Sequence, residues 1–166
     1  KKIRIFFYKN FFGIFLLSIF VFSSLSSFSF SELDPHLGYT GVGEKINNLM
    51  GIFGSYYTGT LKSLVGNLQY LLPIFFLIVG VKKIVGVKTN LIFVCFFSFL
   101  ISITILSVLF NVFNIQSIYL GKIILEIIRN NFYYIFENNF YFSVIVILTI
   151  IIFIYLFIYG LTIKIK

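Results

Sequence analysis

The sequence of 166 residues contains no alanine and no tryptophan, one cysteine, two prolines and 5 acidic residues. A single cysteine, Cys95, excludes a disulfide within the chain and a multi-cysteine metal site. It lies in an apolar run, so we interpret it as a small buried hydrophobic residue. Because alanine is absent, close helix contacts must depend on glycine and serine.

Charged side chains are also scarce. They make up 11% of the sequence, whereas hydrophobic residues make up 60%. A soluble domain of this length needs many more polar side chains to cover its surface. The composition therefore predicts an integral membrane protein whose partner over most of its surface is the lipid bilayer.

Four apolar stretches are each about 20 residues long, the length that a helix needs to cross a hydrocarbon core of roughly 30 Å. We place these spans at about residues 11–30, 64–81, 91–110 and 141–163. They leave a first outer loop at 31–63 and a second at 111–140. The predicted fold is all-α, a polytopic helical membrane protein with four transmembrane helices that forms a single membrane domain, residues 1–166.

The first span has a rival interpretation, because a basic start, an apolar run at 11–22 and small residues at 23–27 also resemble a secretory signal peptide. Apolar residues resume at Phe28 and Phe30, so the helix can reach spanning length. We therefore expect residues 1–27 to be retained, and the N-terminus of the mature protein tests this expectation.

The distribution of lysine and arginine predicts both termini on the cytoplasmic side, because cytoplasmic flanks retain these residues. In that orientation the inner flanks hold nine cations and no acid, and the outer loops hold four cations and five acids. Topology thus explains the net charge of +8 better than a nucleic-acid site does. The topology determinants beside the later spans are Lys82, Lys83, Lys88, Lys164 and Lys166.

The first outer loop carries a helical pattern. Apolar residues recur at helical spacing between Ile46 and Leu64, and we expect a helix that continues into the second span. A second face holds small residues four apart: Gly51, Ser55, Gly59 and Ser63. Such a ridge lets another helix approach closely. The alternative is that glycine and serine fall at this spacing by chance.

The second span contains Pro73, which we expect to bend the helix, and Gly66 and Gly80, which permit close neighbours. We expect Asn67 and Gln69 at the level of the lipid headgroups rather than in contacts between helices.

The second outer loop contains an amphipathic candidate at 117–136 that would lie along the outer surface. Its polar face is formed by Lys122, Glu126 and Asn130. Tyrosines suit the membrane interface, and the loop and its border supply Tyr133, Tyr134 and Tyr141.

The search for chemistry gives no catalytic, cofactor-binding or metal-binding residue. No span carries an ionised residue near its middle, which argues against a proton or ion pathway. We interpret His36 as a solvated loop residue, and Glu126 and Glu137 as a wetted helix face. Residues 38–45 superficially resemble a phosphate-binding loop, but the lysine comes one residue late and Ile46 replaces the required Ser or Thr.

Residues 46–55, followed by Leu61, Gly66, Tyr70 and Pro73, resemble the N-terminal four-transmembrane-helix membrane domain of the FtsK/SpoIIIE DNA translocase family. Asp34-Pro35 and Thr40-Gly41 are similar to pairs in that family's first outer loop. Two departures are Thr58-Gly59 in place of Ala-Asp and the single Gly121 in place of Gly-Gly. The candidate residues for helix packing or subunit contact are Gly51, Gly54, Ser55, Gly59, Gly66 and Pro73.

The resemblance implies a membrane anchor in the bacterial cytoplasmic (inner) membrane that targets a translocase to the division septum for cell division and chromosome segregation. It implies a homo-oligomer and contacts with other division proteins. DNA, ATP and magnesium would belong only to a motor domain beyond residue 166, so we expect no cofactor and no enzyme activity in this segment. The alternatives are a small channel or transporter subunit, which flux through liposomes would reveal, and a free-standing membrane scaffold.

Overall fold

The computed structural model describes residues 2–41, 45–87 and 91–161, with side chains from residue 10 onward. The described residues form helices and no β-strands, and four helical stretches are long and apolar enough to cross a membrane. The predicted fold class is therefore confirmed. The α-helices are α1 Lys2–Phe28, α2 Gly51–Val65, α3 Leu71–Val85, α4 Ile92–Val112, α5 Tyr119–Asn131, α6 Tyr133–Glu137 and α7 Asn139–Gly160.

The candidate spans in the structure are Asn10–Phe28, Gly51–Val85, Ile92–Val112 and Asn139–Gly160. Three of them lie within a few residues of the predicted stretches. The second is different, because its 35 residues would make a helix about 52 Å long at about 1.5 Å per residue, well beyond the hydrocarbon thickness.

A break divides this long stretch. The segment Gly66–Tyr70 is a 3-10 helix, and it begins at Gly66 with a φ of +59°. A backbone with positive φ interrupts a right-handed α-helix, and glycine adopts it without a steric penalty. The 3-10 segment and α3 contain 5 and 15 residues, enough for one span. The helix predicted in the first outer loop is then α2, although Ile46, Leu49 and Met50 precede its first residue.

Pro73 does not produce the expected bend within the second span. It lies in the first turn of α3, where its missing N–H would have no partner in the α-helix. The irregular segment precedes it. Because a proline ring clashes with the carbonyl four residues earlier in an α-helix, Pro73 favours the non-α conformation at Gln69.

The described residues of 1–62 and 67–92 form one compact unit, and those of 63–66 and 93–161 form another. In the first unit α1 packs against α3 through two glycines. A Cβ atom added to Gly13 would lie 3.1 Å from the carbonyl oxygen of Gly80, and one added to Gly80 would lie 3.3 Å from that of Gly13. Leu16, Phe75 and Val79 are buried in this unit.

In the second unit α4 supplies the buried core, including Cys95, Phe99 and Ile103. A Cβ atom on Gly160 would lie 2.9 Å from the Cβ of Phe99, so α7 approaches α4 closely at this point. The rings of Phe99 and Phe157 are 5.4 Å apart. Cys95 is fully buried, as predicted.

Candidate functional site

The first outer loop is folded by a buried carboxylate. Asp34 is 2% exposed, and its two carboxylate oxygens each accept a hydrogen bond of 2.8 Å, one from the backbone N–H of Asn47 and one from that of Asn48. Hydrogen bonds to a charged acceptor are about twice as strong as neutral ones. Asp34 therefore ties the start of the loop to the residues that lead into α2.

Asn48 joins this loop to two helices. Its side-chain N–H group donates to the backbone oxygen of Ser26 at 2.9 Å and to the hydroxyl of Thr58 at 3.4 Å. Its side-chain oxygen accepts from the backbone N–H of Met50 at 3.0 Å. Asn48 is buried, so these bonds satisfy an amide that would otherwise be costly to bury. We call Ser26, Asp34, Asn48 and Thr58, with Gly54, the loop clasp.

Gly54 lies at the centre of the loop clasp. Its carbonyl oxygen accepts from the hydroxyls of Ser26 and Thr58, both at 2.7 Å. A Cβ atom at this position would lie 2.2 Å from the side-chain oxygen of Asn48 and 2.7 Å from the Ser26 hydroxyl. Only glycine lets α1, α2 and the loop meet here.

Two residues of the small-residue ridge on α2, Ser55 and Gly59, pack against the loop of the same chain. Ser55 donates a hydrogen bond to the carbonyl oxygen of Pro35. A Cβ atom on Gly59 would lie 2.2 Å from the Cβ of His36. Gly51 has open space around it and a φ of +63°. Glycine is therefore favoured there by the left-handed backbone at the start of α2 and not by a close contact.

His36 is not the solvated residue that we expected. It is half-buried over Gly59, its Nδ1 lies 3.0 Å from the carbonyl oxygen of Asp34, and its ring lies 5.1 Å from that of Tyr39. The backbones of His36 and Tyr39 exchange two hydrogen bonds of 2.9 Å. Gly38 between them has a φ of +82°, which suits the tight turn.

The remaining candidate residues lie apart from the loop clasp. Gly66 forms the break before α3, and a Cβ atom there would lie 3.1 Å from the side-chain nitrogen of Gln116. Pro73 is buried in α3.

Lys82 and Lys83 lie in the last turn of α3, and the helix is followed by Gly86 in a left-handed conformation. Cations there favour the negative end of the helix dipole. Three further topology determinants lie outside the described residues: Lys88, Lys164 and Lys166.

The two polar residues of the 3-10 segment differ. Asn67 is exposed and accepts a hydrogen bond from Lys62. Gln69 is fully buried, and neither its side-chain oxygen nor its nitrogen has a hydrogen-bond partner among the described residues. Gln69 therefore faces the protein interior, and its depth relative to the lipid headgroups stays a prediction. Gln69 lies between Leu68, which is also buried, and Tyr70, which is exposed.

In the second outer loop, Asn111 holds the corner between α4 and α5. Its side chain donates to the backbone oxygens of Ser107 and Ile118 at 2.8 and 3.0 Å, and it accepts from the backbone N–H of Ile118 at 3.3 Å. Gly121 lets α5 touch α4, because a Cβ atom there would lie 2.2 Å from the backbone oxygen of Ser107. These contacts fix the first turns of α5.

The two glutamates of this loop have different surroundings. Glu126 lines a cavity of about 360 Å³, whereas Glu137 accepts a hydrogen bond from the Tyr133 hydroxyl that raises the pKa of Tyr133 above its usual value of 10.0. Across residues 10–41, 45–87 and 91–161 no group of three His, Cys, Asp or Glu side chains is arranged to hold a metal ion.

Sequence reasoning missed several of these residues. Gly13 is the only glycine of the first span, and in a sequence without alanine that signal could have identified the contact with Gly80. Asn48 lies inside the quoted motif, but nothing local indicates that its side chain joins α1 to α2. The site is thus a set of packing and hydrogen-bonding contacts that shapes the first outer loop.

Comparison with known proteins gives one family. The family model described as the 4TM region of DNA translocase FtsK/SpoIIIE matches residues 7–160. Neither the curated proteins nor the solved structures gave a match. The matched segment includes the loop clasp and all four candidate spans.

Proposed function

The chain belongs to the family of the N-terminal 4TM region of the DNA translocases FtsK and SpoIIIE, and from this premise we propose that it holds an FtsK-like motor at the division septum. It is a multi-pass membrane-anchor domain. Its contribution to cell division and chromosome segregation is placement of the motor. Chemistry on ATP and DNA belongs to the motor domain and not to this segment.

The packing of α1 and α3 supports an orientation with a cytoplasmic N-terminus in the inner membrane. A Cβ atom on Gly13 would lie 2.7 Å from the Ile84 side chain, so the N-terminal half of α1 lies beside the C-terminal end of α3. That end carries Lys82 and Lys83, which favour the cytoplasmic side. A reporter enzyme fused after residue 45 is expected on the opposite side of the membrane.

The loop clasp supports a role for the first outer loop in recognition. Loops carry binding functions when a rigid scaffold positions them. Asp34, Asn48 and Gly54 hold this loop against α1 and α2. We propose that the chain forms a homo-oligomer and presents this fixed loop to other division proteins.

The test is to image a fusion of a fluorescent protein to the C-terminus in dividing bacterial cells. The expected result is a fluorescent band at midcell and recovery of the fusion in the membrane fraction. Uniform fluorescence around the cell would contradict the septal role and leave the anchor intact. Recovery in the soluble fraction would contradict anchoring itself.

The loop clasp is tested in the same cells by a matched pair of variants. Asp34→Ala removes the carboxylate that folds the loop, whereas Glu32→Ala removes an exposed acid from the same loop. We expect the first variant to stay in the membrane and to lose the midcell band, and the second to keep it. Equal midcell fluorescence of the two variants would contradict recognition through the loop.

A further inference from the structure

Helix α5 is divided into two faces. Its apolar face is formed by Leu120, Ile123, Ile124, Ile127 and Ile128. Ile127 is 56% exposed and Ile123 38% exposed, although the helix is fixed to α4 through Gly121. The apolar face is therefore open along a helix whose position is well defined.

The opposite face of α5 is polar. Lys122, Glu126 and Arg129 line the cavity of about 360 Å³ together with Asn111 and Gln116. Polar side chains surround this cavity on both sides, so it suits water. The two faces of α5 thus have environments of opposite polarity.

Short connections keep α5 close to the ends of two candidate spans. It follows α4 after six residues, and α6 and α7 follow it with a single residue at each junction. Both α4 and α7 are candidate spans. With 13 residues, α5 is about 20 Å long and too short to cross the hydrocarbon core itself.

We propose that α5 lies in the plane of the outer membrane–water interface of the bilayer that α4 and α7 cross, with its apolar face among the lipid acyl chains and its polar face in water. This is the behaviour of an amphipathic helix of moderate length. The proposal concerns a lipid contact and is independent of the septal role.

The exposed apolar surface of α7 supports lipid as the partner of the apolar face of α5. No residue in the most apolar window of α7 is buried, as lipid contact requires. An apolar groove of about 300 Å³ joins α6 to α7 and is lined by Tyr134, Ile135, Tyr141, Val144 and Ile145. Tyrosine rings prefer the headgroup level, so the apolar surface of α7 continues onto α6, the helix that follows α5 after a single residue.

The test is site-directed spin labelling of the protein in phosphatidylethanolamine–phosphatidylglycerol vesicles. Single substitutions Ile123→Cys and Ile127→Cys report on the apolar face, and Lys122→Cys and Glu126→Cys report on the polar face. Cys95 is fully buried, so the unsubstituted protein serves as the labelling blank. Ile147→Cys in α7 gives the reference accessibility for a label in lipid. Glu32→Cys in the first outer loop gives the reference accessibility for a label in water.

The accessibility of each label to oxygen and to a water-soluble nickel chelate decides the outcome. We expect high oxygen and low nickel accessibility at the two isoleucine positions and the reverse at Lys122 and Glu126. High nickel accessibility at all four positions would place α5 in water and overturn the proposal. Exclusion of both reagents at Ile123 and Ile127 would also overturn it, because a second protein surface would then cover this face.

Discussion

The carboxylate of Asp34 allows a graded test of the loop clasp. In Asp34→Ala, two charge-assisted hydrogen bonds are lost, and the N–H groups of Asn47 and Asn48 lose their acceptor. Each hydrogen bond to a charged group contributes about 1.5–3 kcal/mol, so we expect the folded loop to lose about 3–6 kcal/mol. In Asp34→Asn one acceptor oxygen remains, and about half of that loss is expected.

The measurement is hydrogen exchange of the Asn47 and Asn48 amides in detergent micelles, compared with amides inside α4. Exchange reports local opening of the loop without requiring the whole protein to unfold. Protection at the two amides should fall in the order wild type, Asp34→Asn, Asp34→Ala, while protection in α4 stays unchanged.

Glu32→Ala is the matched control, because Glu32 is an exposed acid two residues away. It should leave the protection of both amides at the wild-type level. If Asp34→Ala exchanged at the same rate as Glu32→Ala, the carboxylate would not hold the loop, and the account of the loop clasp would be refuted.

Three further predictions concern packing. Gly80→Leu should destabilise the protein by about 1–3 kcal/mol through overpacking against α1 in detergent unfolding, whereas a change at exposed Val81 to Leu should not. Gly59→Leu should displace His36 and increase proteolysis of the loop, but Phe53→Leu should not, because Phe53 of α2 is 78% exposed; equal cleavage would contradict the contact. Gln69→Leu should raise the free energy of unfolding by about 1–3 kcal/mol, because it removes a buried amide without a partner; a loss of stability would show that the amide is satisfied.

Much of the fold follows from local properties of the sequence. Hydropathy over about 20 residues identifies a span without knowledge of its neighbours. The break before α3 illustrates the limit of such reasoning. Pro73 indicates a bend and Gly66 a close neighbour. Only the backbone shows that the left-handed conformation at Gly66 begins the 3-10 segment and that Pro73 fits the first turn of α3.

The candidate site was less predictable than the fold. The spacing of Gly51, Ser55 and Gly59 indicates a surface for close approach but not its occupant. In the structure that occupant is the loop with His36, at least for Gly59. A helical period describes one face of one helix. It does not identify which other segment of the chain packs against that face.

The sequence by itself determined that this protein resides in a membrane and that four stretches of its chain are long and apolar enough to cross it. These properties are sums over neighbouring residues, so no contact needs to be known. Tertiary structure alone decided that Asp34 and Asn48 fold the loop, and that Gly13 meets Gly80. Each of these depends on residues far apart in the chain meeting at atomic distances, and hydropathy and helical period carry no information about that distance.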